Sequence, residues 1–376
     1  MMILLGSSSV ETECFDTMAI LGHHEGGSQM PAFHSSTPRK ALGTALFAGA
    51  GLLLAGPANA ETQPPEAEPA LSSGPSEIVF EEHNLFPEGI AYDQTRNEFL
   101  VSSLYFGGIY RVSLEGDIQP LVEDERLIST FGLHLDTERN RVLVCNSDLG
   151  VGERTAEDTK MQVAELAIYD LATGEPLRHV DLTALHEGTA HFCNDVIVGP
   201  DGTAYVTNSL SPVIYRVPVD GEPDVLTTSE LFEGEGVNLN GLVYHPDGYL
   251  IVAKYNDGTL FRVSLDDPSD VRQVELDRTL EGADGMVWDS QGKLVLAANS
   301  IIGGEVSTDA VVQLSSEDGW QSAHVSGSMD TGAVFVTTAA QQGDDTYVLY
   351  ARLDQLFTGK LPVERFSIRR VDFEAQ

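Results

Sequence analysis

Positive charge is scarce in this chain. Its 376 residues carry 21 Lys and Arg against 58 Asp and Glu, a formal net charge of −37. Beyond residue 60 the balance is 54 acidic to 19 basic side chains, and Lys160, Lys254, Lys293 and Lys360 are the only lysines. No basic patch survives such a balance, which argues against nucleic acid and anionic membrane as partners. Acid excess with little lysine suits either an ordinary acidic exported protein or one kept soluble at high salt. Cysteine is nearly absent as well. Of three, Cys14 lies in a segment read below as removed, leaving Cys145 and Cys193. In an oxidising compartment these two could pair, but two buried free thiols are the expectation. The Gly-x-Ser-x-Gly nucleophile signature is missing too, and Ser326-Gly327-Ser328 lacks its second glycine, so covalent serine catalysis is not expected.

Long apolar runs are also lacking. The longest, Ala41 to Leu54, is too short and too rich in Gly and Ala for a membrane span. It follows Arg39-Lys40 and precedes Pro57-Ala58-Asn59-Ala60, the pattern of a secretory signal with an Ala-x-Ala cleavage site. Residues 1–60 therefore read as an N-terminal extension plus signal peptide, with Met30 a candidate start. Residues 61–76 read as a disordered spacer. The mature protein is expected in the periplasm or secreted, free of the membrane after cleavage, and monomeric.

What is present from residue 77 onward is repetition. A variable residue followed by a small turn residue opens a short apolar strand at Glu88-Gly89, Phe131-Gly132, Asn194-Asp195, Asn240-Gly241, Asp284-Gly285 and Thr331-Gly332, spaced 43 to 63 residues apart. Tight-turn signals recur as well, at Asp93–Asn97, Gly199-Pro200-Asp201-Gly202, His245-Pro246-Asp247-Gly248 and Asp289-Ser290-Gln291-Gly292. A third strand repeats in Ile109-Tyr110-Arg111-Val112, Ile214-Tyr215-Arg216-Val217 and Leu260-Phe261-Arg262-Val263. Helix signals are confined to residues 181–187 and 351–357. Residues 77–376 are thus expected to form an all-β, six-bladed β-propeller with a central metal-binding channel.

On that architecture the variable residues of the six steps converge on one axis. Four are oxygen ligands: Glu88, Asn194, Asn240 and Asp284. Two carboxylates and two carboxamides suit a hard cation, with Ca2+ expected, and Mg2+, Mn2+ or Zn2+ as alternatives. Zn2+ is the least suited, because no Cys or His pair stands at these positions. Any one Asn or Asp before Gly is ordinary turn chemistry. Glu88 is not a turn residue, and four acids and amides in register would otherwise crowd unpaired carboxylates together. Phe131 should wall the pocket, and the ends of the second strands should ring its mouth with Asn146, Asn208, Tyr255 and Asn299. His134 and His191, near the steps, are candidate proton carriers. The long loop from about Asp148 to Met161 lies on the same face.

The segments Phe86-Pro87-Glu88-Gly89, Cys193-Asn194-Asp195-Val196, Leu239-Asn240-Gly241-Leu242 and Ala283-Asp284-Gly285-Met286 resemble the senescence-marker-protein/gluconolactonase (LRE-like) family. The resemblance runs from residue 80 to about 300. More distantly the pattern is similar to paraoxonases, diisopropylfluorophosphatase and strictosidine-synthase-like propellers. It implies one divalent ion held at Glu88, Asn240 and Asp284, with Asn194 touching substrate or completing the shell and Asp284 also serving as general base. Sugar lactonases of the family carry arginine where this chain has Phe192, which points to a less polar lactone or ester. Paraoxonases follow the glutamate with an acid; Gly89 stands here, so one ion is expected, not two. The expected activity is calcium-dependent hydrolysis of a small lactone or ester. The alternative is a non-catalytic binding propeller with a structural ion.

Overall fold

The computed structural model describes residues 74–188, 190–302 and 305–375. The segment read above as a leader, and nearly all of the one read as a spacer, lie outside them. The described chain is an all-β propeller in which antiparallel sheets are built largely from consecutive strands. The β-branched and aromatic alternation seen in the sequence is what a strand between two packed neighbours requires.

The simplest unit runs Ile90–Asp93, Glu98–Ser103, Gly108–Ser113 and Ile118–Glu123 as one four-stranded meander. A second is Leu239–His245, Tyr249–Lys254, Thr259–Ser264 and Val271–Gln273. Between them lies an eight-stranded sheet. In it the meander Ser129–Asp136, Arg141–Ser147, Gln162–Asp170, Pro176–Asp181 joins the meander His191–Val198, Ala204–Asn208, Val213–Val217, Asp224–Thr228. The junction is a two-residue parallel pairing of His191 and Phe192 with Gln162 and Val163. A further sheet centres on Ala283–Trp288, Leu294–Ile302, Glu305–Ser315 and Ser322–Asp330. The remaining sheet closes the chain on itself: Val336–Gln342, Asp345–Tyr350 and Arg365–Arg370 are completed by the N-terminal strand Glu77–Glu81, which pairs Phe80 with Phe366.

The innermost strands pack side by side in chain order, and the last of them, Val336–Gln342, returns to the first, Ile90–Asp93. Apolar layers fill the wedges between sheets; one such layer joins Tyr205, Phe232, Leu242, Leu250 and Phe261. The turns fall where expected, with Asn97, Gly202, Gly248 and Gly292 at positive φ. The short helix Leu353–Phe357 and a 3-10 turn at Thr183–Leu185 occupy the two weak helix signals.

Two expectations need correction. Cys145 and Cys193 are bonded to each other, with Cα atoms 5.2 Å apart. The parallel junction brings the second strand of one meander against the first strand of the next, and the two thiols meet there at bridging distance. The step Thr331-Gly332 is also misplaced. Thr331 sits in the connection before the inner strand, with its hydroxyl donating to Asp309 (2.9 Å). The residues at the equivalent point of that strand are Thr337 and Thr338, where its pairing with Asp345–Tyr350 slips between Val336 and Ala339.

Candidate functional site

The pairing of the inner strand with its neighbour slips at the same point in five of these units. The slips fall between Thr130 and Leu133, Cys193 and Val196, Leu239 and Leu242, Ala283 and Met286, and Val336 and Ala339. Each slip spans a step, so these five steps are bulges that turn their residues out of the ladder, while Glu88-Gly89 stands just before its strand, which pairs without a slip from Ile90. The bulges touch in sequence. A Cβ on Gly89 would stand 2.6 Å from the Phe131 carbonyl, and one on Gly132 would stand 2.8 Å from the Asp195 Cα. Asp195 in turn accepts the Leu242 N–H at 3.3 Å. A Cβ on Gly241 would stand 2.3 Å from the Asp284 carbonyl, and one on Gly285 would meet Thr338. The circuit closes where the Thr337 hydroxyl donates to the Glu88 carbonyl at 2.7 Å. Glycine recurs at these steps because backbones meet there.

A cavity of about 480 Å3 runs along the inner strands from these bulges. Glu88, Asn194, Asn240 and Asp284 all line it and all are buried. Asp195 lines it too, as does His134. Burial raises the pKa of Glu88 and of Asp284, and mutual carboxylate repulsion adds to it. Burial alone lifts Asp195 to about 7, against hydrogen bonds from Val196 and Leu242 N–H. Among the described residues the cavity lining contains no Lys or Arg. One oxygen of Glu88, Oε2, is buried without a hydrogen-bond partner.

Asp284 is the best-held acid. Asn299 Nδ2 donates to its Oδ2 at 2.5 Å and to the Val336 carbonyl at 2.6 Å, and Tyr255 Oη donates to Asn299 Oδ1 at 3.0 Å. Asn240 and the Gly285 N–H also donate to this carboxylate. Tyr255 is held protonated by burial and by the Asp284 charge. Asn299 and Tyr255 therefore act on the site through Asp284, at one remove from the cavity.

The other candidates, His134 apart, lie off the cavity wall. Phe131 and Phe192 meet edge to face, with centroids 4.6 Å apart, each 2% exposed and neither on the cavity wall. Asn208 accepts the N–H groups of Phe192, Leu210 and Ser211 and donates to Tyr215. Asn146 accepts from Ile128 N–H and donates to Glu165 and Arg126. Both side chains are engaged in holding loop backbone. His134 is kept neutral down to about pH 4 by burial. His191 sits at the parallel junction, its pKa lowered by burial and by His186.

These residues fit a cation in one respect and limit it in another. The orphaned Glu88 oxygen, beside a second and third carboxylate with no basic side chain, is a donor set that lacks its counter-charge. Among the described residues no three His, Cys, Asp or Glu side chains are grouped as the ligands of an ion. An ion here would therefore depend on the carboxamides of Asn194 and Asn240 as well as on Glu88 and Asp284. Sequence reasoning missed Asp195 and the Thr337-Thr338 pair. Asp195 could have been found, since it places an acid where four of the other steps have glycine. Thr337-Thr338 has neither glycine nor a turn residue and gave no signal.

No protein-family model matches the sequence, and no curated protein matches it. Solved structures do. The major allergen Mala s 1 of Malassezia sympodialis is similar over 79% of this chain and 96% of its own, with a TM-score of 0.62 and 20% identity. A gluconolactonase from Xanthomonas campestris is similar over 78% and 89%, with a TM-score of 0.52 and 15% identity. A luciferin-regenerating enzyme is similar over 80% and 97%, with a TM-score of 0.53 and 14% identity. At such identities the likeness is one of fold.

Proposed function

We propose that the chain forms a six-bladed propeller, the eight-stranded sheet counting as two blades, and works as an exported, calcium-dependent hydrolase of a lactone or ester. The observation that carries this reading is the group of three buried acids on one cavity, Glu88, Asp195 and Asp284, with an unpartnered oxygen on Glu88 and no basic residue to offset them. The fold likeness to a gluconolactonase and a luciferin-regenerating enzyme is consistent with it. Glu88, Asn194, Asn240 and Asp284 would hold the ion, which when bound would supply charge compensation and Lewis acidity toward a carbonyl oxygen.

The chain's own groups define the rest. Asp284, aimed by Asn299 and made more basic by burial, takes a proton from the attacking water. The water's hydroxyl adds to the acyl carbon, the acyl C–O bond breaks, and the departing oxygen receives the proton. A lactone thereby becomes a hydroxy acid. Asn194 and Asn240 orient the carbonyl, while Phe131 and Phe192 keep the adjacent loop side dry. Asn146 and Asn208 position substrate only through the backbone they hold.

The test is hydrolysis of a panel of lactones and aryl esters by the purified protein, with and without EDTA. Turnover that needs a divalent ion and disappears in Asp284→Ala supports the enzyme. No turnover with any divalent ion, together with a lower melting temperature once the ion is stripped, would make the protein a binding propeller braced by its ion.

A further inference from the structure

The cavity has a chemical gradient along its length. At one end stand the acids and amides of the bulges. Next along the inner strands come apolar residues, among them Leu133, Leu242, Met286 and Val287. At the far end the lining reaches Gln94, Thr95 and Thr137, which are exposed and belong to the hairpin turns. From Asp284 to Trp288, four residues of strand span about 13 Å. Near the bulges, on the loop side, the described neighbours are closed instead: Phe131 and Phe192 are packed on each other, and Asn208 and Asn299 are fully buried. The volume, about 480 Å3, is that of a small-ligand site.

We infer that this channel is a binding site for the apolar part of a lactone or ester, entered from the hairpin face, with the carbonyl at the acid end and an alkyl or aryl group along the inner strands. The inference rests on the hydrolase reading for the fate of the ligand, but not for its binding. His134, Tyr92 and Gln341 also line the channel, but they are too few to replace the hydrogen bonds to water that every hydroxyl of a polyhydroxylated sugar lactone would lose there. Each methylene that the channel buries adds about fourfold in affinity.

The chain carries its own reporter. It has two tryptophans, and Trp288 lines the channel, with its Nε1–H donated to the Tyr244 carbonyl at 2.8 Å. EDTA-treated protein is titrated with γ-dodecalactone, γ-butyrolactone and glucono-δ-lactone, and tryptophan emission is followed. The expected result is a saturable change with γ-dodecalactone alone, absent in Trp288→Phe. Ala91→Phe, and independently Ile197→Phe, should weaken that binding about tenfold and lower the preference for long over short lactones by a similar factor. Melting curves of both variants establish that they fold. A response to γ-dodecalactone with no hydrolysis under any ion would keep the channel site and remove the hydrolase. Hydrolysis with no emission response and no preference for the longer lactone would overturn the channel and leave the hydrolase standing.

Discussion

Replacing Glu88 by glutamine should stabilise the metal-free protein, which is the reverse of what most buried substitutions do. The side chain is 8% exposed, its Oε2 has no partner, and Asp284 and Asp195 both repel its charge. Glutamine keeps the shape, removes the charge and leaves the Thr337-to-Glu88 backbone bond that closes the ring untouched. Leaving one buried acceptor unsatisfied costs about 1–3 kcal/mol, and the carboxamide relieves it because its N–H2 group is a donor facing the carboxylates that repelled the acid. For a domain of this size, relief of that cost raises the melting temperature by about 2–5 °C. Calcium should act unequally on the two proteins. At a concentration one hundred times its dissociation constant it adds about 2.7 kcal/mol to the wild type. Glu88→Gln should lose most of that gain, so that the order of stability inverts when calcium is added. The assay is a thermal melt of each protein at pH 8 in EDTA and in calcium. A lower melting temperature for Glu88→Gln in EDTA would refute the reasoning, and so would an equal calcium-induced rise in both. Either outcome would mean that the acid charge is not what the cation offsets.

Four other outcomes follow from the same structure. His134 has its pKa depressed to about 4, so the unfolded chain takes up a proton first as pH falls below about 6.5. Its contribution is held above that pH and lost toward pH 4, so His134→Gln should flatten the acid limb of a stability-versus-pH curve by about 1–3 kcal/mol. Removing the disulfide with Cys145→Ala and Cys193→Ala frees a 48-residue separation and should cost about 2–4 kcal/mol in urea titrations, with dithiothreitol giving the same loss in the wild type. Gly241→Ala drives a methyl group onto the Asp284 carbonyl and should cost about 1–3 kcal/mol by overpacking. Gly248→Ala has open space around it and only an unfavourable φ, so it should cost about 1 kcal/mol by the same denaturation measurement.

The repeat of strands, the hairpin turns and the four oxygen-bearing step residues could all be read from the chain, because each is a local pattern. Period-two alternation makes a strand, Asp-Gly makes a turn, and a glutamate just before a turn glycine asks for an explanation wherever it occurs. What escaped depended on contacts between residues far apart. The sixth step is a Thr-Thr pair whose role comes only from the bulge it forms and from the bond that Thr337 makes to Glu88, 249 residues away. The cysteines became a bridge only when a two-residue parallel pairing laid one meander against the next. Asn146 and Asn208 have the chemistry of substrate ligands, yet their hydrogen bonds go to nearby backbone and to the side chains of Glu165 and Tyr215. Which of several carboxylates share a cavity, and which end of that cavity meets solvent, are properties of closure around an axis. Local sequence sets the shape of each strand, but a ring brings together residues that no period or spacing relates, and burial there decides their charge.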